Sequence, residues 1–203
     1  MTIQTYTDLQ TEVAAWLHRS DLTARIPSFI QFCESRINND LRVARMVRFK
    51  TVNVDGDRFD RPSDFLEMIT LGPTDTPDTE FQIVSARAVA KVNGDFYAHV
   101  GDEIVVKDGA TEPRNFDLVY YAKIPCLCDA EQSWLLSDQP DIYLFGTLVF
   151  SAPFLGNDAR VATWETGYQN ALQALQATDD KARFSGRTLE IRPTITDGVT
   201  IWP

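Results

Sequence analysis

Apolar side chains recur every three or four residues near the start of the chain, which is the spacing of one helix face. The first set consists of Leu9, Val13, Trp16 and Leu17, with Thr7 or Asp8 as the N-terminal cap. The second set begins at Ile26-Pro27 and consists of Phe29, Ile30, Phe32, Cys33, Ile37 and Leu41. These sets predict an antiparallel helical hairpin joined at Ser20-Asp21, whose broad apolar face needs further partners.

After Leu41 the spacing of the apolar residues changes to two, which is typical of strands. Short alternating segments follow one another, and a helical turn near residues 87–92 interrupts them. The pairs that predict turns are Asp55-Gly56, Asn93-Gly94, Gly101-Asp102 and Asp108-Gly109. We expect Asp55-Gly56 to close a two-residue hairpin. This region is predicted to form an antiparallel β-sandwich or half-open barrel.

The most apolar stretch of the chain runs from Pro140 to Leu155. It is too short to cross a bilayer, which needs about 20 apolar residues in a row, so we expect a buried helix and no membrane partner. A further set at helical spacing consists of Val161, Trp164, Tyr168, Leu172 and Leu175. It predicts a last helix with Asp158 as its N-terminal cap, and Gly186 follows the end of this helix.

Helices at both ends and strands between them predict an α+β fold. We expect N- and C-terminal helical hairpins to form a four-helix bundle, with Pro140 to Leu155 as its central helix and the antiparallel β region inserted between them. The predicted bundle domain comprises residues 1–42 and 130–186, the β domain residues 43–129, and a C-terminal arm residues 187–203. The expected bundle core includes Trp16, Ile30, Ile37, Trp134, Tyr143, Trp164 and Tyr168.

The net charge of −10 argues against sequence-blind binding to nucleic acid, which depends on phosphate neutralisation by Lys and Arg. The first residues show no secretion signal, so we expect synthesis and assembly in a cytoplasm. Cys33, Cys126 and Cys128 are an odd set, which favours reduced thiols. Because Cys126 and Cys128 are too close in sequence for a typical zinc site, we interpret them as small buried thiols.

The chain contains no phosphate-binding glycine loop, zinc-protease helix or nucleophile elbow. His18 and His99 are interpreted as ordinary surface or half-buried residues. The sequence "DGDRFD" lacks the glutamate and the spacing of a calcium loop, so a turn is favoured there. We therefore expect no catalysis, no cofactor and no metal.

One segment, residues 36–61, is basic within this acidic chain. Its cations are Arg36, Arg42, Arg45, Arg48, Lys50, Arg58 and Arg61, against the acids Asp40, Asp55, Asp57 and Asp60. One interpretation is a solvated helix end followed by an edge strand, where charges discourage unwanted pairing. The alternative is that Arg42, Arg45 and Arg48 contact an acidic protein partner or DNA.

The last segment, Arg187 to Pro203, alternates apolar and polar residues and contains Pro193, so it cannot extend the preceding helix. Two interpretations remain open. It adds a strand to this chain's own β region or frays, or it is an arm that orders on a neighbouring subunit or another partner. In the second case Ile201 and Trp202 are the expected anchor.

Two stretches resemble a known protein family. The points of resemblance are Trp16-Leu17, Arg19, Asp21-Leu22, Ile26-Pro27, Phe29-Ile30, Glu34, Arg36-Ile37, Leu41-Arg42, Pro62, Asp64-Phe65, Trp134-Leu135, Pro140-Asp141, Tyr143-Leu144, Trp164 and Tyr168. They form an ordered series similar to the opening and closing hairpins of the head-to-tail adaptor (connector) proteins of short-tailed bacteriophages, of the tail tubular protein A type. The "RPSDFLE" piece resembles a turn in that family's β region.

This resemblance implies a virion structural protein that forms a dodecameric ring beneath the portal. Such a ring joins the portal to the tail nozzle protein, helps to retain the packaged genome and makes passing contact with double-stranded DNA. Two alternatives stay open: a tail-completion or tail-terminator ring protein of the same particle, and a small hydrolase.

Overall fold

A computed structural model describes residues 3–184 of this 203-residue chain, except 93, 108, 110, 111, 131 and 157. The predicted C-terminal arm, with Ile201 and Trp202, lies outside the described residues. The predicted turns at Asn93-Gly94 and Asp108-Gly109 fall partly outside them as well.

Eight α-helices are described. They are α1 (Tyr6–Leu17), α2 (Ile26–Asp40), α3 (Ala86–Val89), α4 (Leu127–Ala130), α5 (Trp134–Asp138), α6 (Pro140–Phe150), α7 (Ala152–Leu155) and α8 (Arg160–Phe184). Short 3-10 helices lie at Ser20–Arg25 and Ala44–Met46. The N-terminal cap of α1 is Thr5 rather than Thr7 or Asp8. The Thr5 hydroxyl accepts a hydrogen bond from the Asp8 backbone amide, and the Asp8 carboxylate accepts one from the Thr5 backbone amide.

Helix α6 packs against α1, α2 and α8. It is apolar on nearly every side, and Ile142, Tyr143 and Leu148 are fully buried. Two close approaches fix its position: a Cβ at Gly146 would lie 2.5 Å from the Cys33 sulfur, and one at Gly167 of α8 would lie 2.9 Å from the Phe145 ring. The small residues thus allow helices to approach where a side chain would separate them.

The helices other than α3 share one hydrophobic core, and Val89 of α3 packs instead against Ala98 and Val105 of the β region. From the set expected in that core, the structure buries Ile30, Ile37, Tyr143, Trp164 and Tyr168. Trp134 is half-buried against the same core. The expectation for Trp16 was wrong. Its indole is 39% exposed because it lies along the surface of α1, where its N–H donates to Glu12 at 3.0 Å.

The β region contains seven described strands in two sheets. They are β1 (Val47–Val54), β2 (Arg58–Asp60), β3 (Phe65–Pro73), β4 (Gln82–Ile83), β5 (Phe96–Val100), β6 (Glu103–Lys107) and β7 (Arg114–Ala122). One sheet has the order β1-β7-β3 and is antiparallel, and the other has the order β2-β6-β5-β4. In the second sheet β4 pairs with β5 in parallel, and the remaining pairs are antiparallel.

A second hydrophobic core lies between these sheets, with Leu71, Phe116 and Leu118 from one and Tyr97 and Ile104 from the other. The α+β prediction is confirmed, and the β region has the layers of a sandwich. The predicted hairpin at Asp55-Gly56 was wrong. The chain changes sheet at this turn, since β1 pairs with β7 and β2 pairs with β6.

Candidate assembly interface

The segment that leads from β7 back to the helices is held by two polar side chains of α2. The Leu127 amide donates to the Glu34 carboxylate at 2.7 Å, and the Ile124 amide donates to the Asn38 side-chain oxygen at 2.8 Å. Glu34 is only 8% exposed, and its burial raises the pKa of the carboxyl group above its ordinary value. These bonds set the position of the β strands relative to the helices.

A second polar contact joins α2 to α8 across α6. The Arg36 guanidinium donates two hydrogen bonds to Glu165, at 2.8 and 2.5 Å, and lies 4.3 Å from the centre of the Tyr168 ring. The Tyr168 hydroxyl donates to Asp40 at 3.2 Å. Hydrogen bonds from Arg36 lower the pKa of Glu165 to about 2. Arg36 therefore holds the helices together and is not available to a partner.

The arginines predicted to contact a partner or DNA follow α2 and enter β1. Arg42 donates to Glu67 at 2.9 Å and to the backbone carbonyls of Asn38 and Leu41. Arg45 pairs with Asp138 and lies 4.6 Å from the centre of the Trp134 ring. Within the part of the chain that the structure describes, Arg48 has no carboxylate within salt-bridge distance. Arg48 is the exposed cation of the three that is free to meet an external acid.

Large apolar side chains are exposed on the helices. Phe32 of α2 is 54% exposed and contacts the Phe150 ring, with the ring centres 5.8 Å apart. Phe154 of α7 is 41% exposed and contacts both Phe29 and Arg25. Rings held in place by their neighbours yet left in contact with water are suited to protein–protein contact.

The largest exposed apolar side chain of the β region is Phe49, which is 80% exposed. It lies on β1, an edge strand of the three-stranded sheet. Sequence reasoning did not select Phe49, because alternation along a strand does not show which face another layer covers. Glu34 was one of the points of family resemblance, but its burial was not predicted, because that burial depends on the distant residues around Leu127.

The two histidines lie where the sequence placed them, with His18 exposed at the end of α1 and His99 half-buried in β5. His99 lies between the rings of Phe65 and Tyr97, and burial with a contribution from Arg61 lowers its pKa. Buried Cys33 is a thiol whose pKa burial raises to about 12.

The expectation of buried thiols at the other two cysteines was wrong. Cys126 and Cys128 form a disulfide, since the turn between them leaves their Cα atoms only 5.3 Å apart, and Cys128 is exposed. Together with Asp129 they are the group of possible metal ligands found among the described residues, but their sulfurs are bonded to each other.

Across the described residues, no helix has both the length and the apolar character needed to span a membrane. The helical unit and the small sandwich each have a hydrophobic core, and polar contacts from Glu34 and Asn38 join the two.

The sequence model of the SU10 adaptor protein family matches residues 4–192. The chain therefore belongs to the SU10 adaptor protein family, and the resemblance to phage head-to-tail adaptors is confirmed at the level of the family. It is a phage adaptor protein, and thus a structural component of a virion. No curated protein matches the chain significantly.

Proposed function

We propose that this chain forms the ring that joins the head of a phage to its tail. The observation that carries the proposal is the adaptor-family match over residues 4–192. The exposed rings of Phe32 and Phe154 support it, because a protein that assembles with copies of itself and with other subunits needs such surfaces. The protein acts through binding, without catalysis and without a cofactor or metal.

In this proposal the ring is a dodecamer, assembled in the host cytoplasm, that docks on the portal protein and receives the tail nozzle protein. Packaged double-stranded DNA passes through its channel and is retained there. A net charge of −10 suits such a channel, because an acidic wall does not hold the phosphate backbone through strong ion pairs.

The helices form the portal-facing unit in this proposal, comprising residues 1–42 and 130–186, and the β domain comprises residues 43–129. The separate hydrophobic cores of the helices and the sandwich support this division. Arg48 supplies the contact with an acidic portal surface or DNA. Arg42 and Arg45 also contribute, after they break their ion pairs with Glu67 and Asp138.

The proposal is tested by mixing the purified chain with isolated portal from the same phage and measuring the mass of the complex by native mass spectrometry. An adaptor gives a complex with about twelve copies of the chain on each portal ring. A tail-terminator protein instead forms rings that bind tail tubes and leave the portal free. A chain that binds neither particle and hydrolyses a test ester overturns the proposal in favour of an enzyme.

A further inference from the structure

The three-stranded sheet has one face against the sandwich core and an opposite face, which we call the outer face. On the outer face, Val47 pairs with Tyr121 and Phe49 pairs with Val119. The Tyr121 end of this face is covered, since Tyr121 packs against the helical core. The Phe49 end is not covered, and Phe49 is 80% exposed.

The uncovered part of the outer face is a groove of about 450 Å³. Its lining is mixed: the apolar side chains include Phe49, Val119, Pro73 and Pro77, and the polar ones include Lys50, Thr70, Thr79 and Glu80. Next to Phe49 and Val119 lie two polar residues, Thr51 and Asp117, and the Thr51 hydroxyl donates to the Asp117 carboxylate at 2.6 Å. A groove in which Phe49 and Val119 lie side by side among polar side chains fits an extended segment that alternates apolar and polar residues.

Helix α8 brings the chain to this face. Near its end, Arg183 donates to the Tyr121 hydroxyl at 3.2 Å, and Asp179 accepts the Ala44 amide at 3.0 Å. Tyr121 and Val119 are two residues apart on β7, with their Cα atoms about 7 Å apart, so Arg183 contacts the residue that precedes the groove on the outer face. The helix therefore ends beside the groove with its last turn fixed in place.

Nineteen residues follow Phe184, from 185 to 203. Extended chain covers about 3.3 Å per residue, so this length is sufficient to cross the outer face and return. The apolar residues of the segment are Leu189, Ile191, Ile195, Val199, Ile201 and Trp202. Its two cations, Arg187 and Arg192, balance its two acids, Glu190 and Asp197, so the segment carries no net charge.

We propose that the groove on the outer face is the binding site for this chain's own C-terminal segment, residues 185–203, with Ile201 and Trp202 as the anchor beside Phe49. The tether through α8 favours the segment of the same copy over any other, because it keeps the local concentration of that segment high. This inference rests on the fold and does not depend on ring formation.

The test is hydrogen exchange measured by mass spectrometry on the full chain, with attention to peptides that cover β1. Removal of residues 188–203 is expected to speed amide exchange in β1 about tenfold, and Trp202→Ala is expected to give much of that effect. Equal exchange in the full and shortened chains overturns the proposal. Protection of β1 that rises with protein concentration also overturns it, because a second copy is then the occupant.

Phe49→Ser provides the coupling test. Because Phe49 is so exposed, the variant should fold normally, yet it should show the fast exchange of the shortened chain, and removal of residues 188–203 from it should add nothing. The matched control is Ile83→Ser, which removes an apolar side chain that is 61% exposed on the other sheet and should leave β1 unchanged. Additive effects of Phe49→Ser and the deletion overturn the proposal.

Discussion

Arg36 of α2 and Glu165 of α8 form an ion pair with two hydrogen bonds, at 2.8 and 2.5 Å, across the central helix α6. The residues are far apart in the sequence, and neither helix can shift along its axis without breaking this pair. Because Tyr168 lies beneath the guanidinium, the pair is partly shielded from solvent. Its geometry connects the second helix of the chain to the last helix that the structure describes.

The first prediction concerns the pH dependence of this pair. The pKa of Glu165 falls from 4.5 to about 2 in the folded protein, mainly through hydrogen bonds from Arg36. A lowered pKa stabilises the folded state above pH 4.5, and this contribution is lost as the pH falls toward 2. Since Glu165 is 39% exposed, Glu165→Gln should lower the free energy of unfolding at pH 7 by only about 1 kcal/mol.

Urea denaturation at pH 7 and pH 3 measures this effect, and the loss caused by Glu165→Gln should be smaller at pH 3. The control is Asp21→Asn, which removes the exposed pair with Arg19 and should change the stability little. An equal loss at both pH values would show that the ion pair contributes nothing through the charge of Glu165.

The second prediction compares two tryptophans. Trp164 is 3% exposed in the helical core, so Trp164→Ala should lower the free energy of unfolding by about 3 to 5 kcal/mol. Trp16→Ala should cost less than half as much, because its indole is 39% exposed. Thermal or urea denaturation measures both, and equal losses would contradict the positions of the two rings.

The third prediction concerns the close approach at Gly146. A methyl group there would lie 2.5 Å from the Cys33 sulfur and 3.1 Å from the Tyr168 ring, so Gly146→Ala should cost about 1 to 3 kcal/mol. Cys33→Ala removes the nearest atom. The double variant should therefore be more stable than the sum of the two single losses predicts, as measured by urea denaturation. Simple additivity would show that the two residues do not touch.

The fourth prediction concerns Glu34. Burial raises its pKa, so its charge lowers stability at neutral pH, and this cost disappears as the pH falls through the folded pKa. Glu34→Gln keeps an acceptor for the Leu127 amide and removes the charge, so it should match or exceed the parent chain in stability at pH 7. Glu34→Ala leaves that amide without its partner and should cost about 1 to 3 kcal/mol.

Urea denaturation of the two Glu34 variants at pH 7 checks this comparison. A large loss in Glu34→Gln would show that the negative charge itself is required at this position.

The fifth prediction concerns the basic segment. Arg48→Glu breaks no ion pair in the described structure, so the stability should stay within about 0.5 kcal/mol of the parent. Binding to isolated portal, measured by biolayer interferometry, should weaken in the way that added salt weakens it. Arg45→Glu should also destabilise the chain, because it loses the pair with Asp138. Portal binding that neither Arg48→Glu nor salt changes would favour the solvated-edge interpretation.

Local spacing predicted much of the fold correctly. Helix α2 and the helix expected from Pro140 to Leu155 were found because their apolar residues recur along one stretch of chain, although the second is divided at Ser151 into α6 and α7. The turn at Gly101-Asp102 was also predictable, since β5 and β6 pair directly across it, with Val100 opposite Glu103. In these elements the residues that decide the conformation are neighbours in the sequence.

Other features depended on the tertiary structure. Asp55-Gly56 forms a turn, but β1 pairs with β7, about 60 to 75 residues further along the chain, and β2 pairs with β6, about 45 residues further along. Trp16 and Trp164 both fit an apolar helix face, yet only the arrangement of α6 and α8 leaves the first exposed and the second buried. The sequence by itself therefore determined where helices and strands form, because that depends on near neighbours. Which side chains are buried, paired or left for a partner was decided by contacts between distant segments, and those exist only after the chain has folded.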